Sequence, residues 1–251
     1  CDAHPSPVFF TYRHQDIIDG TVAKVIANKR PEYDFISDDG IQHTLWVMDD
    51  LQDIKTIQNA FAALPNLYVA DGHHRTASAA KVGLKRREQF PDYNGDEEFN
   101  YFMAVIFPDN QLKIYDYNRV VKDLNGLTAD EFLAKIAEKW NVTPIPEGAN
   151  FAPQKKHNIS MYLDGKWYRL EPKPGTWNEK NIVEDLDVSI LQNNLLNPIL
   201  GIKDPRTDQR IDFIGGIRGL DELVKRVDSG KEAVAFAMYP TSMDELIGIA
   251  D

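Results

Sequence analysis

The sequence is almost without cysteine: Cys1 is the single thiol in 251 residues. That excludes a disulfide framework and any zinc site built on cysteine pairs. Long hydrophobic runs are also missing. None approaches the roughly 18 apolar residues of a membrane-crossing helix, so no membrane association is expected. Positive charge is scarce, with 28 Lys and Arg against 39 Asp and Glu and a net charge of −11. Sequence-independent binding to a polyanion needs clustered cations that displace counterions. Nucleic acid is therefore a disfavoured partner unless a local basic patch serves it. No internal repeat or low-complexity tract is present. What the chain does have is 43% hydrophobic and 10% aromatic residues, too many for a disordered acidic tail. The length suits one large or two small domains with a sizeable core. The expectation is a folded cytoplasmic protein.

The chain opens at Cys1 rather than Met. A lipid-bearing N-terminal cysteine is one reading; a piece of a longer protein is the expectation adopted. The segments alternate between strand and helix character without a strict βαβ rhythm, which predicts an α/β (α+β) fold with a mixed sheet and flanking helices. Residues 8–13 (VFFTYR) read as a strand. Asp38-Asp39-Gly40 between two β-rich runs reads as a hairpin turn, as does Asp164-Gly165 between 158–163 and 166–170. Residues 49–64 have helical period, with Leu51, Ile54, Ile57, Ala60, Phe61 and Leu64 on one face. Thr128 with Glu131, and Ser242 with Glu245, have capping-box spacing. Residues 183–200 read as one strongly apolar helix whose Leu186, Ile190, Leu191, Leu195, Leu196 and Leu200 face suits a core or a subunit interface, so a homodimer is one expectation. The Pro- and Gly-rich stretch 143–156 is the expected linker between an α/β domain at 1–142 and a second α/β subdomain at 157–251.

The strongest local signal is the DGHHR loop, Asp71-Gly72-His73-His74-Arg75, between the short apolar strand LYVA and a helix beginning near Thr76. Gly72 permits a backbone angle that other residues resist. A helix start offers unpaired N–H groups and the positive end of its dipole to an anion, and the arginine fork suits phosphate. Asp71 is placed to orient an imidazole, accept a proton or hold Mg²⁺. The competing structural reading is that Asp71 caps the helix while the histidines satisfy buried carbonyls. A metal site is the weaker rival, because adjacent histidines point apart and no further His or Cys stands at helical spacing. Downstream, Lys81, Lys85, Arg86 and Arg87 form the densest basic run. Lys85 lies about 15 Å along the helix from Arg75, too far to share one phosphate.

A secondary anion site is expected where Gly215, Gly216 and Arg218 join a strand to a helix, with Tyr12 and Arg13 at the end of the first strand pointing into the same cleft. A plain tight turn and an ordinary surface pair are the alternatives.

ADGHHRTASA (70–79), with the blocks at 33–50, 186–202, 212–230 and 234–251, resembles the bacterial domain-of-unknown-function family 1015. Members of that family also carry a partition-protein label (SpoOJ/ParA/ParB/RepB). They are longer at both ends, with a Pro-Lys-Ser-containing tail expected after Asp251. The loop is similar to the phosphate-binding loop of the ParB/sulfiredoxin-like superfamily, which includes nucleotide hydrolases and an ADP-dependent serine kinase. The resemblance implies a ParB/sulfiredoxin-like element around the loop. It gives Asp71, Gly72, His73, His74, Arg75 and Thr76 the nucleotide-phosphate role, with Asp71, His73 and His74 as catalytic candidates and Mg²⁺ accompanying the nucleotide. The leading function is a nucleotide-dependent kinase or phosphohydrolase acting on a small molecule. Its rivals are a module that senses a phosphorylated metabolite without turnover and a partition-type DNA-associated protein.

Overall fold

The computed structural model describes residues 6–250, so Cys1 and its lipid reading lie outside the described residues. The chain is a mixed α/β protein that divides into two compact units, Cys1–Leu112 and Lys113–Asp251.

In the first unit, β1 (Val8–Tyr12) forms the centre of a three-stranded sheet. It runs antiparallel to β4 (Tyr68–Asp71) and parallel to β5 (Ala104–Pro108). Between them lie α1 (Asp16–Asn28), the hairpin β2 (Tyr33–Ile36) and β3 (Gln42–Leu45), and α2 (Leu51–Ala62). The long helix α3 (His73–Gln89) follows β4. The β2–β3 turn places Gly40 at φ +81°, where glycine carries no Cβ penalty. Asp50 caps α2, accepting from the backbone N–H groups of Gln52 at 2.9 Å and Asp53 at 3.0 Å. Leu51 departs from the expected apolar face and is exposed. Asp53 is buried instead, held by Lys24 at 2.7 Å.

The second unit carries a six-stranded sheet in the order β10-β6-β11-β8-β9-β7, with every neighbouring pair antiparallel. Its strands are β6 (Tyr117–Val121), β7 (Trp140–Pro144), β8 (Ile159–Leu163), β9 (Lys166–Pro172), β10 (Ile211–Gly215) and β11 (Val234–Ala237). The Pro- and Gly-rich stretch 143–156 is not a linker between domains. It joins β7 to β8 inside this sheet, and the two units divide upstream of it. Helix α4 (Ala129–Lys139) starts on the expected Thr128/Glu131 capping box. Asp164 and Gly165 both take positive φ, +47° and +73°, in the tight β8–β9 turn.

Period-2 alternation splits the apolar residues between the two faces. Val121, Ile159, Met161, Leu170, Val234 and Phe236 join Phe132, Ile136 and Trp140 in the larger core. Val120, Tyr162, Ile214 and Ala235 pack with Leu223 and Val227 of α6 (Leu220–Asp228) on the other face. The helix expected over 183–200 is shorter. Helix α5 spans Asp187–Leu191 and passes into a wider π turn, Gln192–Leu196. The chain before it is held by side chains, with the Asp185 carboxylate accepting from Trp177 Nε1 at 2.8 Å and Lys156 Nζ at 2.5 Å. Helix α7 (Met243–Ala250) closes the unit on the Ser242/Glu245 box.

Candidate functional site

Strand β4 ends at Asp71 and α3 begins at His73, three residues earlier than the sequence suggests. Gly72 makes the turn between them at φ +88°. The first helical bond is Thr76 N–H to Gly72 C=O, at 2.8 Å, and the Thr76 hydroxyl donates to the same carbonyl at 3.1 Å. The N–H groups of His73, His74 and Arg75 therefore have no acceptor within the helix. Among the described residues no side chain caps this end, and no acidic residue lies in the first turn. His73 and His74 are exposed, so they do not serve as ligands for buried carbonyls.

Arg75 folds back over the turn. Its Nη2 donates to Asp71 Oδ2 at 2.8 Å, and its Nη1 donates to the Ser6 hydroxyl. The Asp71 carboxylate is thus spent on Arg75 and does not cap the helix. A Cβ on residue 72 would stand 2.9 Å from Arg75 Nη2. Glycine is favoured there for its φ, and a Cβ would make the guanidinium lying across it shift. The result is a cationic group held beside three N–H donors that have no partner among the described residues. Farther along α3, Lys81, Lys85 and Arg87 are exposed. Arg87 is engaged locally, over the Tyr93 ring and 2.7 Å from Asn100 Oδ1.

Tyr12 and Arg13, expected beside Gly215, Gly216 and Arg218, lie in the first unit and away from the 71–75 loop. In the antiparallel β1–β4 register Phe9 faces Asp71, while Thr11 faces Tyr68. Arg13 is therefore at the opposite end of the sheet, about 13 Å along β1 from the loop end. Arg13 pairs with Asp109 at 3.1 Å, and Tyr12 is buried edge-on against Phe61. Burial raises the Tyr12 phenol, and the Asp19 and Asp109 carboxylates add to the shift.

That end of the unit holds a cluster the sequence reading missed. His14 Nε2 sits 3.0 Å from Asp19 Oδ2, and the His14 N–H donates to Asp109 Oδ1 at 3.0 Å. Asp19 and Tyr12 line a mostly apolar cleft of about 550 Å³ between α1, α2 and the sheet. The spacing Ile18, Thr21, Val25 on α1 was the available signal, since all three are buried on one face.

Gly215, Gly216 and Arg218 belong to the second unit. Gly216 is explained by packing, because a Cβ there would come within 1.9 Å of Asp116 Oδ1. Gly215 ends β10, and Arg218 is exposed in a short helical turn, Gly216–Arg218.

Among the described residues no three of His, Cys, Asp and Glu gather as a metal cage, and no helix is long and apolar enough to cross a membrane. Among the described residues at the loop, Asp71 is the carboxylate with the chemistry to hold a hard cation.

No curated protein matches the chain. Among solved structures, a conserved hypothetical protein from Pyrococcus furiosus is 14% identical, with a TM-score of 0.38 over 75% of this chain and 66% of that one. The chain thus spans just under two thirds of that protein's length. A free serine kinase in complex with AMP is 13% identical, with a TM-score of 0.36 over 96% of this chain and 77% of that one. Both are loose superpositions. The decisive match is in sequence, where residues 1–189 fit the family described as protein of unknown function (DUF1015), and by that match, over most of its length, the chain belongs to the DUF1015 family.

Proposed function

We propose that the 71–76 segment binds the phosphate groups of a nucleotide or another phosphorylated small molecule, and that the protein is a cytoplasmic nucleotide-dependent kinase or phosphohydrolase. One observation carries this reading. Helix α3 starts on a left-handed glycine with no side-chain cap, no acid in its first turn and an arginine fork laid across the turn. An anion there meets the N–H groups of residues 73–75, the helix dipole and Arg75 together. Each charge-assisted hydrogen bond contributes about 1.5–3 kcal/mol.

In this reading Arg75 clamps a phosphate while Asp71 and Ser6 set its orientation. His73 and His74, exposed beside it, stabilise charge on the transferring phosphoryl group. Were Mg²⁺ to accompany the nucleotide, Asp71 is the residue that would hold it, and the ion would supply neutralisation of the phosphate charge.

Titration of the protein with ATP, ADP and AMP plus Mg²⁺ tests this, followed by a search for released phosphate or a phosphorylated acceptor. Arg75→Ala is expected to weaken binding at least tenfold with unchanged circular dichroism. Unchanged affinity in that variant overturns the assignment. Binding without any product under saturating nucleotide keeps the site and replaces the enzyme with a metabolite sensor.

A further inference from the structure

We propose that Arg119 is the anion-holding group of a second ligand site, on the six-stranded sheet of the second unit, which takes a phosphate or carboxylate oxyanion. The site lies outside the 71–76 loop and does not rest on the function given to that loop.

The register places it. On β6, Arg119 stands opposite Phe213 of β10 and Phe236 of β11, so it leaves the sheet on the face of the larger core. That face changes character along β6. Val121 is fully buried, Arg119 is partly buried, and Tyr117 is 56% exposed. Arg119 therefore sits where the cover over the sheet ends.

Its surroundings are aromatic. The guanidinium carbon lies 5.6 Å from the Phe213 ring centre. Tyr117 stacks on the same ring at 5.2 Å and 5°. Nη1 donates to the Tyr117 carbonyl, which engages one of the five guanidinium donors.

What it lacks is a counter-ion. Arg206, Arg210 and Arg226 in the same unit each meet carboxylates, at 3.1 Å or less: Asp204, Asp208, and Glu232 with Asp212. No ion pair between Arg119 and a carboxylate forms among the described residues. The nearby Asp116 is turned away, its Oδ2 accepting from Asn118 at 2.6 Å and its carboxyl packed on Gly216. Burial lowers the guanidinium pKa to about 10, countered by Tyr117, and the group is still charged at neutral pH.

A partly desolvated cation without a counter-ion is costly, and one carbonyl bond with a single cation–π contact offsets only part of that cost. A planar fork with free donors at the margin of a covered face is the arrangement that bidentate oxyanions occupy. The aromatic pair beside it excludes water from one side of the bound group.

The test uses the full chain, with inorganic phosphate and acetate as separate probes at constant ionic strength and chloride as reference. Thermal unfolding is followed for wild type, Arg75→Ala, Arg119→Met, and the Arg119→Met and Arg119→Lys changes each placed in the Arg75→Ala background, which removes the clamp of the 71–76 loop. The expected result is a rise in Tm with at least one probe in Arg75→Ala, lost in Arg75→Ala/Arg119→Met and weakened at least tenfold in apparent affinity in Arg75→Ala/Arg119→Lys. A response to phosphate alone identifies a phosphate ligand, and a response to acetate a carboxylate. Without any probe, Arg119→Met is expected to unfold at the same temperature as wild type or higher, because it removes an uncompensated charge and keeps the stem. A Tm lower by several degrees makes Arg119 structural and overturns the proposal. So does an anion response that survives in Arg75→Ala/Arg119→Met or is absent from Arg75→Ala.

Discussion

Individual side chains in this protein show how position sets charge chemistry. Asp187 is buried at the start of α5, where its Oδ1 accepts the His157 N–H at 2.9 Å. Burial dominates over that hydrogen bond and pushes its carboxyl up to about 6. The folded state therefore binds this proton more tightly than the unfolded chain. Its stabilisation is complete below the unfolded carboxyl value, about 4, and is lost as pH rises through 6. Around it, Asp185 and Glu245 face Lys156 at 2.5 and 2.7 Å, and His157 Nε2 lies 3.1 Å from Asp185. Burial, the largest single cause, raises the carboxyls of Asp185 and Glu245, but the bonds from Lys156 together with Trp177 at Asp185 and Ser242 at Glu245 outweigh it and leave both lowered. Their contributions are lost only as pH falls below the ordinary carboxylate range. Between about pH 4 and 6 the Asp187 slope stands apart, amounting to at most about 3 kcal/mol. Urea unfolding is expected to show Asp187→Asn flattening that slope, and an unchanged slope contradicts it. Arg226 and Glu232 behave differently. Glu232 is buried and bonded by Arg226 at 2.7 and 3.0 Å, so Arg226→Met strands a buried carboxylate and costs about 3 kcal/mol. The double variant Arg226→Met/Glu232→Leu is expected to recover most of that loss in the same assay.

Elements were legible where a local rule decides them. The Asp-Gly turns at 39–40 and 164–165 and the boxes at Thr128 and Ser242 are short-range chemistry, and each forms as the spacing predicts. Thr128→Ala is accordingly expected to cost about 1 kcal/mol in chemical denaturation. Elements decided by distant partners were not legible. Strand β7 lay unseen between a helix and a Pro-rich stretch because its partner, β9, lies across a hairpin. The apolar run 183–200 looked like one helix, yet the Asp185 and Asp187 carboxylates bond Lys156, Trp177 and the His157 N–H, and Asn194 donates to the Thr176 carbonyl at 3.0 Å. Those bonds hold the chain in a loop and a short helix. The loop at 71–75 was legible as a strand–turn–helix, but the direction of Arg75 was not. Its i,i+4 pairing with Asp71 is a surface bond worth at most about 1 kcal/mol, and it matters through orientation rather than stability. Gly72→Ala is expected to disturb that orientation, since it meets both the positive φ and the guanidinium. Weakened nucleotide binding with little change in Tm is the outcome to look for. Arg119 left no trace in sequence, because only the register reveals two phenylalanines opposite it.

At the scale of the whole molecule the two units differ in how much apolar surface they bury. Among the described residues of the first unit only Val8, Phe10, Tyr12, Ile18 and Val25 are buried hydrophobics, while Phe35, Ile36, Leu51, Leu84 and Met103 are more than half exposed. The second unit holds both packed faces of its six-stranded sheet. Burial is the main source of stability, so limited proteolysis is expected to cut the first unit before the second. Charge is also uneven. Residues 73–87 hold five Lys and Arg, two His and no acid in a chain of net −11. A confined cationic start to one helix suits a small phosphorylated ligand better than a long polyanion. The most direct measurement is a crystal structure of the full chain with ADP and Mg²⁺. Phosphate density against the N–H groups of residues 73–75, with Arg75 turned onto it, is the predicted result. Nucleotide bound elsewhere while the Arg75–Asp71 pair stays closed would contradict the account.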